Sequence, residues 1–177
     1  MKKLTIRELT MCALFAALTA VLSQIAIPIG PVPINLATFA VLLCGGLLGA
    51  KLGALSMICW IALGAMGVPV FSNLQGGVAR LVGPTGGYII GYVAGAMVTG
   101  LMVKVLGEGK FWRYCIAMLC GAATYFVLGT IWFVHLTGNT LSQALGLCVY
   151  PFLPGDALKI LLAAFLAVRL LPIMRQS

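Results

Sequence analysis

Of 177 residues only three are acidic and eleven are lysine or arginine, so an acid standing close to a base is where chemistry is sought first. Asp156 and Lys159 are such a pair. They follow Pro154-Gly155, and their i, i+3 spacing puts both on one face of a helix that begins there. An ionisable side chain inside a bilayer costs about 2.5–3.5 kcal/mol on insertion scales, and for that reason it faces a cavity or a partner. Two readings stand side by side. Asp156 can be a helix N-cap with Lys159 reaching out to the membrane surface, or both can face a ligand beside a helix N-terminus.

A second polar group is Asn73, Gln75, Gly76, Gly77 and Arg80, followed by Gly83-Pro84-Thr85-Gly86-Gly87-Tyr88. Its glycines permit tight turns and close approach to a ligand, and Thr85 and Tyr88 add hydroxyls. An ordinary outer turn with an interfacial tyrosine is the alternative. Ala13, Ala16, Ala17 and Ala20 form two i, i+4 small-residue pairs on the first helix, a face suited to close packing against another helix, internal or external. His135, Trp132 and Gln143 stand near one end of a later helix as further cavity candidates, with interfacial anchoring the alternative for Trp132.

The elements that must position these residues are membrane helices. Hydrophobic residues make up 62% of the chain and charged ones 8%, against roughly a quarter charged in soluble domains. A soluble enzyme, a disordered tail and a DNA-binding domain are thereby excluded. At about 20 residues per span, the length allows roughly six spans, and apolar stretches bounded by Pro, Gly and charge place them at about 9–27, 34–48, 52–67, 88–106, 112–136 and 156–171. A loop is expected over 68–83 and a polar link over 137–143. The first apolar run is too long for a signal-peptide core and lacks a clear cleavage site, so it reads as a span.

Charge placement orients this map. With the N-terminus inside, Lys2, Lys3, Arg7, Lys51, Lys104, Lys110, Arg113, Arg169 and Arg175 all fall on the cytoplasmic side, nine of the 11 bases. Arg80 is outside and Lys159 lies within the last helix. Both termini are then cytoplasmic, the pocket lies toward the outside, and residues 1–177 form a single domain in the cell membrane. The net charge of +8 marks topology rather than nucleic-acid binding.

Catalytic patterns are not found. Gly107-Glu108-Gly109-Lys110 lacks the spacing of a phosphate-binding loop, and there is no HExxH or GxSxG. Six cysteines without a CxxC pair read as small packing residues, so neither a metal nor a cofactor is expected. Binding or transport is the expectation, and an intramembrane enzyme or a structural assembly subunit is the alternative.

Four segments together resemble the BioY family, the biotin-specific substrate-binding subunits of energy-coupling-factor transporters. They are Pro-Ile-Gly-Pro-Val-Pro-Ile at 28–34, Gly-Gly-Leu-Leu-Gly at 45–49, Gly-Pro-Thr-Gly-Gly-Tyr at 83–88, and Pro154-Gly155-Asp156 with Lys159. The resemblance implies a compact all-α bundle of six transmembrane helices that binds biotin and works with a transmembrane coupling protein and two ATPases. It implies docking of the first helix through Ala13, Ala16, Ala17 and Ala20. It also implies a biotin site in which Asp156 accepts a ureido N–H and Lys159 donates to the ureido carbonyl or the carboxylate. Gln75, Arg80, Thr85, Gly86, Gly87 and Tyr88 would complete the contacts and the lid. The chain departs from many relatives at Leu74-Gln75 and, with Ile89, from those that carry arginine after the tyrosine. A subunit for thiamine or riboflavin is the alternative within transport, and a strongly aromatic pocket would favour those flat rings.

Overall fold

The structure, a computed structural model, describes residues 4–27 and 31–176. Its order is α1 (Ile6–Ser23), β1 (Ala26–Ile27), β2 (Ile34–Asn35), α2 (Ala37–Ala65), α3 (Val78–Val82), α4 (Gly86–Leu106), α5 (Phe111–Thr137), α6 (Leu141–Cys148) and α7 (Leu153–Gln176). Five of these helices are long and apolar enough to cross a membrane. Large apolar side chains such as Leu14, Leu101, Leu119, Ile131 and Leu161 stand exposed on their outer faces. Hydrocarbon solvates such a surface and water does not.

Each helix has a local reason for its bounds. Thr5 and Glu8 form a capping box at the start of α1. The expected continuation of α1 to Ile27 does not occur: Ile27 precedes Pro28, which disfavours helical backbone, and Ala26 and Ile27 pair instead with Asn35 and Ile34 in a short antiparallel ladder. The rest of the expected stop, residues 28–30, lies outside the described residues. Asn35 Oδ1 accepts from the Ala37 amide at 3.0 Å, satisfying the first N–H of α2. In α7, Pro154 falls in the first turn, where its missing N–H costs nothing. The helix also runs through Pro172, past its expected end at 171.

α2 contains both the second and the third expected helices. Gly49 has left-handed φ (78°) and breaks the helix there. The chain then doubles back, for a Cβ on Gly53 would lie 3.1 Å from the Cα of Gly45. A side chain on Gly45 would in turn strike the Ala96 carbonyl at 2.4 Å, so the Gly-Gly-Leu-Leu-Gly segment makes both a hairpin and a close seam with α4. α4 is the central helix, packed between α2 and α5, whereas α1 rests mainly on α2. Two short helices, α3 and α6, lie where loop and polar link are expected.

The bundle has two unlike ends. Arg7, Lys51, Lys104, Lys110, Arg113 and Arg169 sit toward the end holding the start of α1, the α2 hairpin turn and the α4–α5 connection. At the other end α1 finishes, α4 and α7 begin, and α3 and α6 gather. The polar residues collect there.

Candidate functional site

Asp156 lies in the first turn of α7, where the helix dipole favours a carboxylate. It is not the N-cap: α7 starts at Leu153, and the Asp156 amide already donates to the Phe152 carbonyl at 2.8 Å. One turn on, Lys159 Nζ meets Asp156 Oδ1 at 2.7 Å. Exposures of 3% for Asp156 and 7% for Lys159 exclude the surface-reaching reading, since the ammonium is aimed inward. Its three N–H groups go to Asp156 Oδ1, the Asn35 carbonyl at 2.8 Å and Thr38 Oγ1 at 3.1 Å. Thr38 Oγ1 also reaches Asp156 Oδ1 at 3.4 Å, and the Tyr125 hydroxyl donates to Asp156 Oδ2 at 2.9 Å. Of about four lone-pair positions on the carboxylate, Oδ2 therefore keeps one open.

This polar knot forms one wall of a cavity of about 180 Å³. Aromatic side chains from α2, α4, α5 and the neighbouring loops make its waist: Trp60, Phe71, Tyr92, Tyr125, Phe126 and Phe152. They brace one another. Trp60 meets Phe71 edge-on at 5.1 Å and stacks on Tyr92 at 6.0 Å, and Tyr92 meets Tyr125 edge-on at 5.4 Å. At the mouth stand Asn73, Gln75, Arg80 and Thr85, exposed or half-buried, whose side chains make no hydrogen bond to other described residues. Thr85 is the N-cap residue of α4 but leaves its hydroxyl out of the cap.

The structure thus gathers Asp156, Lys159, Gln75, Arg80, Thr85 and Tyr88 around one cavity. Tyr88 is buried, its hydroxyl 3.2 Å from Thr130 Oγ1. Gly86 and Gly87 lie beside the cavity and do not line it. A Cβ on Gly86 would meet the Leu81 carbonyl at 1.8 Å and one on Gly87 would meet Trp132 at 2.2 Å, so they are glycines for the packing of α4. Ile89 lines the cavity, and Leu74 is exposed. Trp132 Nε1 donates to the Gly83 carbonyl at 3.0 Å, Gln143 completes the capping box of α6, and His135 is exposed. None of these three lines the cavity.

The alanines of α1 divide. Ala16 is buried and Ala20 half-buried against the bundle, whereas Ala13 and Ala17 are exposed one turn apart. Sequence reasoning missed Asn35, Thr38 and Tyr125. Each is a polar group in an otherwise apolar run, and such a group must find a partner indoors; that was the available signal.

The family model described as the BioY family matches residues 1–176. The chain is 42% identical over 164 residues to the probable biotin transporter BioY of Pyrococcus horikoshii, covering 93% of this chain and 96% of that one. It is 38% identical over 164 residues to the biotin transporter BioY of Thermotoga maritima, covering 93% and 95%. Its fold is similar to the crystal structure of the S-component for biotin from an ECF-type ABC transporter, with a TM-score of 0.87 and 31% identity over 95% of this chain and 94% of that one.

Proposed function

The chain belongs to the BioY family, and we propose that it is the biotin-binding subunit of an energy-coupling-factor transporter. The observation that carries this reading is the open lone pair of Asp156 at the closed end of a cavity whose other end is basic. Biotin has matching chemistry in the same order: a ureido ring with two N–H groups and a carbonyl, an apolar thioether ring and chain, and a carboxylate. A ureido N–H goes to Asp156 Oδ2. The ureido carbonyl takes the Lys159 proton that otherwise reaches Thr38, the longest of the three at 3.1 Å. The thioether ring and chain lie against the aromatic waist. The carboxylate sits at Arg80, Gln75 and Thr85, beside the N-terminus of α4, whose dipole favours an anion.

The waist is more aromatic than a ureido ligand demands, which bears on thiamine and riboflavin. A flat ring held between two aromatic planes needs them about 7 Å apart, twice a contact of about 3.5 Å. Trp60 and Tyr92 stack on each other at 6.0 Å, and the other pairs meet edge-on or, for Tyr125 and Phe126, tilted at 46°. The waist is a wall rather than a slot.

With the two arms of α2 counted separately the described residues make six spans, and an even number leaves both termini on the cytoplasmic side with the basic end of the bundle. The cavity then faces outward. A transmembrane coupling protein and two ATPases supply the energy for uptake, and the exposed Ala13–Ala17 face of α1 is where the coupling protein packs. Mass spectrometry of the detergent-purified protein tests the reading. Biotin carried through purification is expected from wild type and from Ala17→Trp, with uptake into cells lowered only in the variant. Purified wild type that carries none and takes up none when biotin is added would overturn it.

A further inference from the structure

The loop over the cavity, residues 69–75, contributes Phe71, Ser72, Asn73 and Gln75 to the lining. It closes on itself through Phe71 and Gln75, whose amides and carbonyls pair at 2.9 and 3.2 Å. Between them, Asn73 and Leu74 both take left-handed backbone, with φ of 62° and 55°. Leucine is poorly suited to that region, which persists only where the surroundings over-determine it. One determinant is on the ligand side: Asn35 Nδ2 donates to Ser72 Oγ at 2.7 Å. The other comes from outside the cavity.

Gln24 supplies it. This residue follows the last turn of α1 and lines no part of the cavity. Its Oε1 accepts the Leu74 amide at 2.8 Å, and the two N–H groups of its Nε2 are shared among the Ala20 carbonyl at 3.0 Å, Ser23 Oγ at 3.1 Å and the Pro69 carbonyl at 3.3 Å. One amide side chain thus ties the rigid end of a helix to both flanks of the turn. Its neighbour Ser23, buried, reaches the Val70 carbonyl at 2.6 Å, which also accepts from Trp60 Nε1 at 3.1 Å. From this we infer that Gln24 is a positioning residue for the lid: it holds residues 69–75 down over the occupied cavity and so sets how fast ligand leaves. Only glutamine has the reach together with an acceptor for the Leu74 N–H and a donor for the Pro69 carbonyl. Glutamate keeps the acceptor and loses the donors.

The inference rests on the biotin reading, and labelled biotin is the probe. Association and dissociation rates are measured on the purified full chain for wild type, Gln24→Ala and Gln24→Glu. Gln24→Ala is expected to release biotin about tenfold faster, the loss of roughly one and a half hydrogen bonds, with association changed by less than about twofold. Gln24→Glu is expected to fall between alanine and wild type. Hydrogen exchange at the Leu74 amide in wild type is expected to slow when biotin is bound. A Gln24→Ala dissociation rate within about twofold of wild type overturns the inference while leaving the biotin reading intact. So does an effect confined to association or, where alanine does not fold, a Gln24→Glu rate equal to wild type. A wild type that retains no biotin overturns both.

Discussion

The two ends of the cavity are built on opposite plans. At the closed end every N–H of Lys159 is used, Asp156 has three partners, and apart from the Asn35 carbonyl of β2 the groups come from α2, α5 and α7, which pack against one another. At the mouth Asn73, Gln75, Arg80 and Thr85 sit on short loops and on the five-residue α3, their side chains without a hydrogen-bond partner among the described residues. A buried charge cannot wait unsatisfied for a ligand, because its desolvation cost is met only by partners already in place. A half-exposed arginine can wait, since water solvates it. On the proposed reading, fixed geometry and discrimination belong to the closed end, and capture belongs to the mouth.

Breaking the closed end has the largest expected effect. Lys159→Met leaves Asp156 buried without its counter-charge, which costs about 3–5 kcal/mol of stability. Biotin affinity falls by more than about a hundredfold. Unfolding in detergent and a binding titration read these two losses. At the mouth, Arg80→Ala is expected to weaken biotin about tenfold, one charge-assisted hydrogen bond of about 1.5–3 kcal/mol. The unfolding midpoint should stay unchanged, and Arg80→Lys should recover part of the loss. Equal loss of stability at both positions would erase the contrast.

The same contrast explains what could be read from residues alone. Asp156 and Lys159 stood out because charge is scarce in this chain and their spacing is helical. The break at Gly49 stood out because glycines cluster there. Thr38 and Tyr125 complete the closed end from helices far away in sequence, and a threonine or tyrosine inside an apolar run does not announce its partner. Gly86 and Gly87 looked like ligand-approach glycines, yet the surfaces they accommodate are Leu81 and Trp132. The alanines of α1 read as one stripe, and only the packing against α2 separated Ala16 from Ala13 and Ala17. Loop 69–75 was legible as a turn, but its fastening to Gln24 depends on where α1 ends, and that was set by the extended pairing of residues 26–27 rather than by the apolar pattern.

The central claim is that the Asp156 carboxylate receives the ureido ring. Calorimetric titration of biotin into purified wild type and the near-isosteric Asp156→Asn tests it most directly. A saturable wild-type site that Asp156→Asn weakens by about tenfold or more is the result predicted from one lost charge-assisted bond. A folded Asp156→Asn that binds biotin with wild-type affinity would contradict it.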